Sequence, residues 1–221
     1  MHKLYHLPLC PFSRKVRLVL GEKKIETELV EERPWDKRMD FLRLNPAGQV
    51  PVLSANGVIL AESQAICEYL EELHSDPRLI PTDLVNRAEV RRLCGWFDGK
   101  MWQEVTGNLL VEKVNKRLMK TGSPDSAKIK AGLQNIRFHI DYCDWLLESR
   151  KWLAGDNMTL ADLTAAAHFS CLDYIDVIEW NRSQNLRDWY AKVKSRPSFR
   201  GLLADQVPPF RPPAHYRDLD F

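Results

Sequence analysis

All the strand-like segments of this chain lie in its first 80 residues, and this asymmetry limits the possible folds more than any other feature. Lys3–Leu7, Thr27–Val30, Val50–Leu53 and Val58–Leu60 read as short extended runs. Helical spacing occupies the stretches between and after them, at Ser13–Leu20, Lys37–Leu44 and Gln64–His74. Asn56-Gly57 is a two-residue hairpin turn, so Val50–Ser54 and Val58–Ala61 are expected to pair antiparallel. The order is β-α-β-α-β-β-α, and a right-handed crossover in its βαβ part places helices on both faces of a small mixed sheet.

After Pro77 and Pro81 only helical patterns remain. Val90, Leu93, Cys94, Phe97, Met101 and Val105 recur at spacings of three and four and mark the buried face of a long helix. Gly122-Ser123-Pro124 interrupts it, and Ile129, Leu133, Ile136, Ile140, Cys143 and Leu147 repeat the pattern in a second. Thr159 with Asp162 three residues on forms a capping box opening a helix over Leu160–Tyr174. Shorter helices are expected near Leu186–Lys194 and Ser198–Ala204. The expected fold class is thus α/β plus all-α: an α/β domain over 1–80, a helical bundle over 81–204 and a proline-rich tail over 205–221.

Lys and Arg number 32 against 30 Asp and Glu, so no global field draws the chain to nucleic acid. No apolar stretch approaches the ~18 residues a membrane span needs, and we expect a soluble cytoplasmic protein. Five cysteines, odd in number and scattered, indicate neither a disulfide framework nor a zinc site, and four of them are expected to be buried. The six histidines are too dispersed to suggest a metal centre.

Four places could carry chemistry. Cys10, ahead of a helix that starts near Pro11, meets free N–H groups that favour a thiolate, and Ser13 stands where thiol–disulfide enzymes keep a second cysteine. The alternative is a small residue in a tight turn. Val50-Pro51 precedes a strand; a cis bond there would offer the Val50 amide and carbonyl to a peptide-like ligand. Glu62-Ser63 opens a helix and could hold an amino acid's charged groups, or Ser63 is simply the cap. Trp35, set between Arg33 and Arg38 in a polar loop, has the composition of a binding hot spot or of a helix-capping aromatic. The last 15 residues carry two Pro-Pro pairs, expected to be extended, with Phe210, Tyr216, Leu219 and Phe221 as apolar anchors. Such a segment either straps onto its own domain or is offered to a partner.

Taken together, Cys10-Pro11-Phe12, Gln49-Val50-Pro51, Glu62-Ser63-Gln64-Ala65-Ile66, Leu153–Asp162 and Arg196-Pro197-Ser198-Phe199 resemble the cytosolic glutathione S-transferases in order and spacing, over about residues 1–204. The resemblance implies a thioredoxin-like domain followed by a helical domain, and a homodimer. It puts Val50, Pro51, Glu62 and Ser63 at the position of a glutathione backbone and Cys10 at that of the catalytic residue. Pro8–Val16, Glu32-Arg33-Pro34-Trp35 and Ala214–Phe221 are further similar to a bacterial division branch of the family, whose members bind the tubulin-like polymer FtsZ. That likeness implies a dimeric adaptor at the division site, with no catalytic residue assigned and no cofactor. FtsZ filaments or their C-terminal peptide would be met by Trp35 and Arg38, and the tail, through Tyr216, Asp218 and Phe221, would be a further contact or serve a second division partner. Glutathione-dependent thiol transfer through Cys10, with Ser13 beside it, is the alternative.

Overall fold

A computed structural model of the chain describes residues 2–219. Strands β1 (His2–His6), β2 (Thr27–Glu31), β3 (Val52–Ala55) and β4 (Val58–Ala61) form one sheet in the order β2-β1-β3-β4. β2 runs parallel to β1, while β3 is antiparallel to both β1 and β4, the mixed sheet that the Asn56-Gly57 turn and the βαβ order require. Helices α1 (Pro11–Glu22), α2 (Met39–Leu44) and α3 (Ser63–Leu73) connect and follow the strands.

From Leu84 to Met119 the chain is helical throughout. It runs as α4 (Leu84–Gly95), a π-helical stretch (Trp96–Thr106), α5 (Gly107–Leu110), a second π-helical stretch (Val111–Asn115) and α6 (Lys116–Met119). The apolar stripe from Val90 to Val105 is buried as its spacing requires. α7 (Ser126–Ser149) starts at Asp125, whose carboxylate accepts the Ala127 and Lys128 amides. Its buried face is rotated from the expected one. Leu133 is exposed, and Gly132 lies against Leu109, so close that an added Cβ would stand 2.8 Å from the Leu109 Cγ.

α8 (Leu160–Tyr174) is buried along its whole length and opens with the Thr159–Asp162 capping box. It packs on α1, so Leu4, Val16 and Leu53 belong to the same hydrophobic core as Phe97, Leu163 and Trp189. α9 (Gln184–Lys194) and α10 (Arg200–Leu203) complete the bundle. Cys67, Cys94, Cys143 and Cys171 are buried and free. Among the described residues no helix is long and apolar enough to cross a membrane, and no cluster could hold a metal ion.

Candidate functional site

The residues beyond α10 fold back on the molecule as a strap. Phe210 N donates to Val207 O at 2.8 Å, closing a turn around the cis Pro208–Pro209 bond, and Ala214–Arg217 forms one 3-10 turn. The first Pro-Pro pair is therefore bent rather than extended. Tyr216, expected to face a partner, is fully buried. Its hydroxyl donates to Leu202 O at 3.0 Å and accepts from Arg14 Nη1 at 3.2 Å, and its ring meets Tyr174 edge-on at 5.2 Å. An aromatic whose one polar atom finds two partners is more stable inside than on the surface. Asp218 is exposed, and Phe221 lies outside the described residues.

Where the strap meets the loop after β1 it closes one side of a cleft of about 230 Å³. Gln206–Pro208 form that side, Leu7–Leu9 the floor, Val114 and Leu118 the helical wall, and Trp35 with Arg33 the rim. Trp35 is carried by a single 3-10 turn, Pro34–Asp36, which Lys37 ends in the left-handed region at φ 47°. Trp35 is half-buried and lines the cleft. Arg38 does not line the cleft; it is largely exposed, 3.2 Å from the buried Glu32 carboxylate. Val114, Leu118 and the strap residues carry no local sequence signal for this role, because only the tertiary fold brings them opposite Trp35.

One guanidinium ties both sides of the cleft together. Arg14, fully buried, donates from Nε to Pro8 O at 2.6 Å, from Nη1 to Ser170 Oγ at 2.8 Å, and from Nη2 to Asp205 at 3.3 Å. Arg17 grips both oxygens of the same Asp205 at 2.8 and 2.9 Å. The strap's base is thus fixed to α1 by part-buried charge-assisted bonds, which are stronger and more directional than neutral ones.

Cys10 is the N-cap of α1, and its Sγ points to Val50 O at 4.0 Å, so these two expected site residues are brought together. The Val50–Pro51 bond is cis. The thiolate expectation is reversed: burial pushes the Cys10 thiol above its ordinary pKa, and the opposing hydrogen bonds from Ser13 and Phe12 do not restore it. Ser13 is itself buried, its hydroxyl accepting the Leu7 amide at 3.3 Å. At α3 the cap is Glu62, exposed and at φ 71°, while Ser63 is the first helical residue and buried. The backbone turn at Val50 and the helix start at Ser63 suit a peptide-like ligand, and the Cys10 thiol stands beside that turn.

Residues 4–78 match the model of the glutathione S-transferase N-terminal domain and residues 116–197 that of the C-terminal domain. FtsZ-localized protein A of Caulobacter vibrioides is 46% identical over 99% of this chain and 97% of its own length. The solved structure of FzlA from C. crescentus superposes with a TM-score of 0.96 at 46% identity, covering 100% of this chain and 99% of that one. A glutathione S-transferase structure from Rhodospirillum rubrum gives 0.98 at 49% identity with both chains fully covered. By fold, by both domain models and by these relatives, the chain belongs to the glutathione S-transferase family.

Proposed function

We propose that this protein is a transferase-fold adaptor that binds FtsZ as a homodimer in the cytoplasm at the division site and helps organise the ring during constriction. The observation that carries the reading is the half-open Trp35 beside a preformed apolar cleft. A cleft of this size accepts one or two apolar side chains of an extended segment, with the Trp35 ring at its edge as the aromatic contact. A filament surface or the polymer's C-terminal peptide offers such a segment. Likeness to FtsZ-localized protein A along nearly the whole chain supports the choice of partner. The exposed end of the strap around Asp218, with Phe221 beyond it, is left for a second division partner.

Co-pelleting with FtsZ polymers tests the reading. The intact protein is expected in the pellet, and Trp35→Ala is expected to weaken binding about 30-fold, the scale of a ~2 kcal/mol hot spot. No pelleting of the intact protein would end the adaptor reading, and an unchanged Trp35→Ala would remove the cleft from it. The competing reading, thiol transfer with glutathione, is disfavoured by the raised Cys10 pKa. Heat with millimolar glutathione that disappears in Cys10→Ala would reinstate it.

A further inference from the structure

The strap carries a second hollow, of about 640 Å³, and Gln206 and Pro208 line both it and the Trp35 cleft, so the two share a wall. Tyr174 and Phe210 give the hollow aromatic surface, Pro212 a rigid apolar edge, and Arg211 and Arg217 its charge. Arg217 also borders a neighbouring hollow with Arg200, the first residue of α10. From α6, the Arg117 guanidinium stands 5.4 Å over the Phe210 ring. Four guanidiniums from three separate segments are thus gathered on one face. The Phe210–Val207 bond and the buried Tyr216 already hold the strap in place, so a ligand meets these arginines without having to order the backbone.

What sets these arginines apart is that they lack acids. Elsewhere Arg14 and Arg17 hold Asp205, Arg92 and Arg150 hold Glu89, Arg182 holds Asp141 and Arg196 holds Glu22. Arg117, Arg200, Arg211 and Arg217 are exposed, and among the described residues none has a carboxylate partner and no acid lines either hollow. The chain's net charge is only +2, so this is a local field and not a share of a global one. Gathered like charges repel one another in the free protein, and an anionic ligand relieves that repulsion. The shape narrows the choice of anion. A guanidinium plane matches a carboxylate through two parallel N–H bonds, and the aromatic and proline surface between the arginines suits the apolar stems of side chains. A bilayer or a nucleic-acid duplex offers a broad phosphate face, which a concave site does not follow.

We propose that the arginine hollow takes the acidic side chains of an extended peptide segment whose apolar residues sit in the Trp35 cleft, the segment crossing the strap at Gln206–Pro208. An extended chain advances about 3.3 Å per residue, so a few residues carry it across the shared wall. The apolar half of this inference rests on the adaptor reading above; the acidic half rests on the arginines alone.

Fluorescence anisotropy on the intact chain without FtsZ is the test, with a labelled synthetic peptide in which a pair of leucines precedes a run of glutamates. Wild type is expected to bind it, more weakly as salt is raised. Arg211→Gln with Arg217→Gln is expected to weaken binding about tenfold or more and to flatten the salt dependence, with an unchanged circular dichroism spectrum. Lys151→Gln, exposed but lining neither hollow, is expected to bind as wild type does. The same peptide with glutamines for glutamates should bind wild type and the arginine variant alike. No binding of the acidic peptide, or binding indifferent to both arginines, overturns the inference. So does tighter binding to phosphatidylglycerol vesicles that the arginine pair abolishes, which would assign the surface to a bilayer. Peptide binding through the arginines in a protein that fails to pellet with FtsZ leaves this inference standing and ends the adaptor reading. Pelleting in a protein whose peptide binding ignores the arginines does the reverse.

Discussion

His6 ends β1 nine-tenths buried, with ring Nδ1 unpartnered, so only its neutral form is tolerated. Burial, with Arg17 nearby as the next cause, pushes its pKa from 6.5 down to about 4. Between those values the unfolded chain takes up a proton that the folded chain refuses. The His6 contribution is therefore complete above pH 6.5, falls as the pH drops towards 4 and is gone below it, about 3 kcal/mol in all. Urea denaturation of wild type and His6→Phe should show the variant losing that much less stability across this window. A different residue-scale balance holds at Asp162. The sequence spacing reveals its bond to the Thr159 amide at 2.8 Å, because a capping box is local. The bonds from Leu153 N and Trp189 Nε1, both at 2.9 Å, come from distant segments and leave no local trace. With the Thr159 hydroxyl, which also donates to it at 3.1 Å, Asp162→Ala strands four buried donors and is expected to cost roughly 3 kcal/mol or more in a denaturant titration. Cys10 is the converse case. A local rule favoured the thiolate, and desolvation by the surrounding fold outweighed it.

At the scale of elements, periodicity reports which side of a helix is apolar but not what it meets. Both long helices were legible from their stripes, yet the π-helical stretch after Gly95 leaves no mark in that spacing, and the rotation of α7 follows from the close approach of Gly132 to Leu109. The strap was legible only as an alternative, since its aromatics suit either a partner or the chain's own surface. What decides is Tyr216, whose ring and hydroxyl are both matched by Tyr174, Arg14 and Leu202. Tyr216→Ala is expected to lower stability by roughly 3–5 kcal/mol, as other large buried aromatics do. Tyr216→Phe keeps the ring, loses both hydroxyl bonds and should cost about 1–2 kcal/mol. Hydrogen exchange separates them: the Val207 and Phe210 amides should lose protection in the alanine variant and keep most of it in the phenylalanine variant.

For the molecule as a whole, the change of pattern near residue 80 is a boundary of secondary structure and not of stability. α1 belongs to the first part by sequence, yet Arg14, Lys15, Val16, Leu18 and Val19 are all fully buried, because α8 and the Pro197–Phe199 turn of the second part pack on it as well as α3. The contacts across the boundary include charges. Lys15 Nζ lies 2.7 Å from the Asp98 carboxylate, Glu22 takes Arg196 through two bonds, and Leu160 N donates to Leu79 O at 2.8 Å. Removing either half leaves a buried ion without its partner and an apolar helix face in water, a loss of several kcal/mol against a typical margin of about 5–15. Residues 1–80 expressed alone are therefore expected not to unfold cooperatively. In the full chain, six of the seven tryptophans lie beyond residue 80, so their fluorescence follows the helical part, while hydrogen exchange at β1 and β3 amides follows the sheet. The two should report one transition at one midpoint. Separate midpoints, or a cooperative transition in the isolated fragment, would mean that the shared core between α1 and α8 does not couple the halves.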